Sequence, residues 1–153
     1  MPSVVYTPGT WVNVFASTDL NALADKSQKT SSLAMFDNTA GLPLAQFELS
    51  LAALSPQANA RILAILVPET QTPGTIVTGT DGTNDALWYR WAQYPYAIIQ
   101  LTRGATAAQV QRSRVFNIEN GKYRAAAINL SGAPLATTGN MLALRAFTEQ
   151  TTT

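Results

Sequence analysis

Phe47-Glu48-Leu49-Ser50-Leu51 is the stretch that decides the fold. Three large apolar residues alternate with two polar ones, the period-two pattern of a strand with one face in a core and the other in water. A few residues on, Arg61 to Val67 carries an unbroken apolar run from Ile62 to Val67, stopped by Pro68. Such a run reads as a more deeply buried strand. Outward from these two, β-prone segments recur at intervals near ten residues: Trp11 to Phe15, Leu33 to Phe36, Leu87 to Ala92, Tyr96 to Thr102, Val110 to Ile118, Lys122 to Leu130 and Met141 to Phe147. Ile76 and Val77 form a short candidate inside the Thr-, Gly- and Pro-rich stretch from Pro68 to Asp85. Glu119-Asn120-Gly121 carries the Asn-Gly pair that two-residue hairpin turns favour. The reading is one all-β domain over residues 1–153, an antiparallel β-sandwich or jelly roll of eight or nine strands. One or two short helical turns are expected at Leu20–Lys26, after Ser17, Thr18 and Asp19, and at Ala105–Arg112, with Thr106 as a cap. The ends, Met1–Thr7 and the Thr-rich tail Glu149–Thr153, are expected to be flexible and free to add a strand to a neighbour.

Composition narrows the chemistry. The chain of 153 residues has no histidine and no cysteine, and only 12% of its residues are charged, against 46% hydrophobic. The usual general base, thiol nucleophile and soft metal ligands are therefore missing. Neither a Ser-His-acid nucleophile nor a desolvated Ser-Lys pair is expected, because Lys26 and Lys29 lie in a polar segment. The carboxylates Asp19, Asp25, Asp37, Glu48, Glu69, Asp81, Asp85, Glu119 and Glu149 fall mostly in expected turns, where capping accounts for them. Asp81-Gly82-Thr83-Asn84-Asp85 resembles a calcium loop only superficially, lacking a ligand in register and the closing Glu. No catalytic residue, metal or cofactor is assigned. Asn129-Leu130-Ser131 matches a glycosylation sequon.

A formal net charge of +1 gives no general attraction to nucleic acid or membrane, and neither is expected as a partner. Arg103, Arg112, Arg114 and Arg124 do gather in one stretch with Lys122; strand-face solvation or an acidic protein partner accounts for them better than phosphate contact. No basic leader and long apolar run precede the first strand, and the chain is expected to be made in the cytoplasm. The segment Leu87–Tyr96 concentrates rings: Trp88, Tyr89, Trp91, Tyr94 and Tyr96. Such rings are either core filler or the anchors of an interface, where Trp, Tyr and Arg dominate. Trp88, Arg90, Trp91 and Tyr94 are assigned to an oligomer or partner interface. Arg112, Arg114 and Arg124 are assigned to pairing with acidic groups.

The C-terminal third reads Lys122-Tyr123-Arg124, then Ala127-Ile128-Asn129-Leu130-Ser131-Gly132-Ala133, then Asn140-Met141-Leu142-Ala143-Leu144-Arg145. A strand ending in an Asn-x-Ser-Gly turn, followed by a closing strand ending in Leu-x-Leu-Arg, resembles small virion proteins of tailed bacteriophages, in particular capsid decoration, or cement, proteins. What the resemblance implies is a jelly-roll module on the outer capsid surface, a dimer or trimer that bridges neighbouring copies of the major capsid protein. A second virion reading, a tail or fibre module, would place Trp88, Trp91, Tyr94 and Tyr96 against host glycans. An enzyme, a glycosidase using two carboxylates, is the third reading.

Overall fold

The computed structural model describes residues 3–54, 56, 58–69, 93–102 and 107–152. Its strands are β1 (Ser3–Pro8), β2 (Val12–Asn13), β3 (Gln28–Thr30), β4 (Phe36–Asp37), β5 (Leu44–Leu51), β6 (Arg61–Pro68), β7 (Tyr96–Gln100), β8 (Gln109–Arg112), β9 (Phe116–Asn117), β10 (Lys122–Leu130) and β11 (Met141–Thr152). The anticipated strands at Ile76–Val77 and Leu87–Ala92 lie outside the described residues.

All pairings are antiparallel and fall into two sheets, β1-β11-β5-β8 and β3-β10-β6-β7. Three short strands extend the edges: β2 follows β1 along β11, β9 follows β8 along β5, and β4 follows β3 along β10. Each sheet is thus four strands wide. With each short strand counted together with the strand it follows, the chain passes from one sheet to the other at every step except β6 to β7, which are neighbours within the second sheet. Two interleaved four-stranded sheets wound in this order are the path of a jelly roll.

The alternation read from Phe47 to Leu51 is what builds the core. Ala45, Phe47, Leu49 and Leu51 of β5 meet Leu142 and Leu144 of β11 on one side of the interior. Ile62, Ala64 and Leu66 of β6, with Tyr123, Ala125 and Ala127 of β10, close it from the other. The loop residues Phe15, Leu20 and Leu135 plug the interior further. The run Ile62–Val67 stays apolar throughout because its other face is buried too. Leu63, Ile65 and Val67 form a second cluster with Ala126 and Ile128, against which Tyr94, Tyr96 and Leu130 pack. Both faces of this strand are dry, which leaves no position for a polar alternation.

Both edge strands of the first sheet carry a one-residue bulge. Between the pairs Pro8–Phe147 and Val12–Leu144, the three residues Gly9, Thr10 and Trp11 oppose only Arg145 and Ala146. The Gly9 amide donates to the Ala146 carbonyl at 2.8 Å, and a Cβ at Gly9 would lie 2.9 Å from that same oxygen. Only glycine fits so close an approach. At the opposite edge, Ser113, Arg114 and Val115 oppose Gln46 and Phe47 between the pairs Arg112–Glu48 and Phe116–Ala45. Here the Ser113 hydroxyl repairs the ladder. It accepts from the Phe47 amide at 3.0 Å and donates to the Arg114 carbonyl at 2.6 Å.

Several expectations change. Val110–Ile118 is not one strand but two pieces either side of this bulge. Asn120-Gly121 does not close a hairpin, because β9 pairs with β5 while β10 pairs with β6, so the turn carries the chain between sheets. Leu20–Lys26 is a succession of turns with bonds such as Leu23 amide to Leu20 carbonyl, not a helix. The part of Ala105–Arg112 that is described contains strand β8. The polar segment Lys26–Ser32, which carries no apolar alternation, supplies edge strand β3. The free ends are the largest correction: Ser3–Pro8 and Phe147–Thr152 pair with each other.

Candidate interaction surface

Three buried asparagines fix the loops on which the exposed surfaces stand. Asn129, wholly buried, donates through Nδ2 to the carbonyls of Leu23 (2.8 Å) and Ala133 (2.9 Å) and accepts from the Ser131 amide at 3.0 Å. Asn38 donates to the carbonyls of Leu42 and Glu119 and accepts from the Leu42 amide. Asn140 donates to the Ala136 carbonyl at 2.7 Å. In each case one amide adds a bond to loop carbonyls at the sandwich end, and the Asn38 and Asn129 side-chain oxygens also take up a loop amide. The sequon at Asn129 is therefore a structural device, its nitrogen occupied and inaccessible.

Asp19, Asp25 and Asp37 serve comparable ends. Asp19 Oδ2 accepts from the Ala16 and Ser32 amides and from the Ser32 hydroxyl. Asp25 accepts from the Gly132 amide. Asp37 is held below the usual carboxylate range by hydrogen bonds from the Thr39 hydroxyl and amide. Burial, seconded by the Glu119 charge, raises Tyr123, whose hydroxyl donates to the Glu119 carbonyl at 3.0 Å. Among the described residues no three acids gather as metal ligands. Asp81 and Asp85, with the calcium-like loop, lie outside the described residues.

Two exposed features remain. The first is the terminal ribbon. The antiparallel pairs run from Ser3–Thr152 to Thr7–Thr148, and every residue from Ser3 to Pro8 and from Thr148 to Thr151 is exposed. Both faces of the ribbon are exposed, with Val4, Val5 and Tyr6 at 49%, 46% and 45%. Pairs opposite one another share a face, so Val4, Tyr6, Glu149 and Thr151 line one side and Val5, Thr7, Thr148 and Gln150 the other. Pairing of β5 with β11 ends at Phe147, and among the described residues the ribbon has two free edges.

The second is a groove of about 590 Å³ at the far edge of the same sheet, where β7 and β8 lie side by side. Tyr96 and Ile98 line it from one sheet; Gln111, Arg112, Arg114 and Phe116 line it from the other. Phe116 anchors this edge by stacking on the core ring Phe47, with centroids 5.4 Å apart. Ile98, Val110 and Val115 are exposed on or beside it. Between ribbon and groove, on the outer face, the Gly9 bulge brings Trp11 over the Arg145 guanidinium at 4.4 Å and near that of Arg112 at 5.6 Å. Arg112 Nε pairs with Glu48 at 2.7 Å, and Arg145 bonds Gln46 at 2.8 Å.

Of the assigned contact residues, Trp88, Arg90 and Trp91 lie outside the described residues. Tyr94 is half-buried and packs on the second apolar cluster, the core-filler alternative. The three assigned arginines do not form one surface. Arg112 and Arg114 flank the groove, whereas Arg124 stands on β10 in the other sheet, opposite Val67. Arg112 already holds an acid of its own chain; Arg114 is exposed and its guanidinium has no partner among the described residues. Trp11, Arg145 and Tyr6 were not assigned from sequence. In the sequence Pro8-Gly9 breaks the chain just before Trp11, and Arg145 closes the Leu-x-Leu-Arg pattern. Comparison with protein-family models and with curated proteins finds no match for this chain.

Proposed function

We propose that this chain is a structural virion protein that binds the outer surface of a tailed-phage capsid and cements neighbouring major capsid proteins. The observation that carries the reading is the terminal ribbon. A two-stranded ribbon in water is only marginally stable by itself. This one exposes both faces, two edges and three large apolar side chains, which suits a strap laid on a neighbouring subunit by strand addition. The jelly-roll body fits the role as a stiff platform, its loops pinned by Asn38, Asn129 and Asn140. A contact of about 1,600 Å² suffices for a specific interface, and repetition over a shell multiplies modest affinities.

The test is to image particles of the phage that encodes the chain, with and without its gene, and to heat both. Density for the jelly roll on the expanded shell, and capsids that open at lower temperature without it, are the expected results. Shells of unchanged stability carrying no copies would overturn the reading.

A further inference from the structure

We infer that the chain self-associates head to tail, the Val4/Tyr6 face of the ribbon of one copy seating in the β7–β8 groove of the next. Three observations select a second copy as the occupant. The ribbon's outer strand β1 and the groove stand at opposite edges of the first sheet, and no ribbon residue lines the groove of its own copy. Their chemistry matches. The ribbon face presents Val4 and Tyr6 with Glu149 directly opposite Tyr6, and the groove offers Ile98, Tyr96 and Phe116 with Arg114 at its side. Both charges are unspent: Glu149 and Arg114 are exposed, and neither side chain has a partner among the described residues. An apolar seat beside one complementary ion pair is the make-up of an interface anchor.

Because the two surfaces differ, the contact is heterologous: it closes into a ring if the rotation permits and otherwise continues as a chain. The inference concerns this chain alone. It is tested without any capsid, so its failure and that of the cementing role are separate results.

The experiment is sedimentation of the purified full chain and of two variants. Tyr6→Asp spoils the ribbon and leaves the groove; Arg114→Glu spoils the groove and leaves the ribbon. Both positions are exposed, and circular dichroism checks that the fold is kept. The wild type is expected to form assemblies larger than a monomer. Each variant alone is expected to lose at least about tenfold in association constant. An equimolar mixture of the two should recover a one-to-one dimer, since each supplies the surface the other lacks, and association should stop there. A monomeric wild type, assemblies indifferent to both substitutions, or variants that fail to complement would each overturn the proposal. The last outcome would mean that both residues belong to one self-complementary patch.

Discussion

Replacing Asn129 by Asp tests the loop-pinning argument with almost no change of shape. The residue is wholly buried, and its Nδ2 is the donor to both the Leu23 and the Ala133 carbonyls. Asp keeps the acceptor for the Ser131 amide and loses both donations. Each carbonyl keeps a second donor, the Leu135 amide on Leu23 and the Ser131 hydroxyl on Ala133, so what is lost is two hydrogen bonds at about 1 kcal/mol each, about 2 kcal/mol together. That is a substantial share of the ~5–15 kcal/mol that holds a typical domain folded. With a urea slope of about 2 kcal/mol per molar, the unfolding midpoint at pH 7 should fall by at least about 1 M. The pH dependence gives a second, independent reading. A carboxyl buried against two carbonyl oxygens is easier to protonate in the folded state than in the unfolded one, where its pKa is about 3.9. The folded state then binds more protons, so the variant loses stability as pH rises from about 4 toward the raised folded value, and regains it on acidification. Asn129→Ala should be destabilised without that slope relative to wild type. Urea unfolding at pH 4 and pH 7 decides the matter. A penalty below about 1 kcal/mol at pH 7, or one that does not vary with pH, would show that the Leu135 amide and the Ser131 hydroxyl suffice for these carbonyls and that the asparagine is not what pins the loop.

Two further outcomes are expected. Gly9→Ala should cost about 1–3 kcal/mol in thermal unfolding, since the added Cβ would press to 2.9 Å on the Ala146 carbonyl and the bulge must shift. It should also alter the near-ultraviolet signal of Trp11, which that bulge places over Arg145. In alkaline titration followed at the phenolate absorbance, Tyr123 should ionise above its ordinary value of 10.0, because burial opposes the charge. Its contribution to stability is complete below pH 10 and is lost as pH rises through the higher folded value; Tyr123→Phe should remove that alkaline component.

The alternation at Phe47–Leu51 and the doubly apolar run at Ile62–Val67 reported the sheet interiors correctly because burial alone set those residues. The edges were harder to read. Asn120-Gly121 satisfies the local chemistry of a hairpin, yet tertiary pairing sends β9 and β10 to different sheets, which no local rule can register. The Val110–Ile118 strand was broken by a bulge whose only marker is Ser113, one more hydroxyl in a chain full of them. The terminal strands escaped notice because Val4, Tyr6 and the Thr-rich tail lack the apolar alternation of a core, and their pairing spans almost the whole chain. The same limit hid the candidate surfaces. Arg112 and Arg114 were legible as cations, but their separation from Arg124 depends on which sheet each strand joins.

The pairing of Ser3 with Thr152 has a practical corollary for anyone joining this polypeptide to another. Ser3 and Thr152 stand about 5 Å apart across an antiparallel pair. A peptide bridge of a few residues between them would close residues 3–152 into a circle at little entropic cost, with new ends then opened elsewhere. A fluorescent protein or affinity tag fused to either end would be carried at the tip of the same arm. Fusion at one end alone would therefore crowd the other, and a cargo attached there would report on, or block, whatever the arm grips.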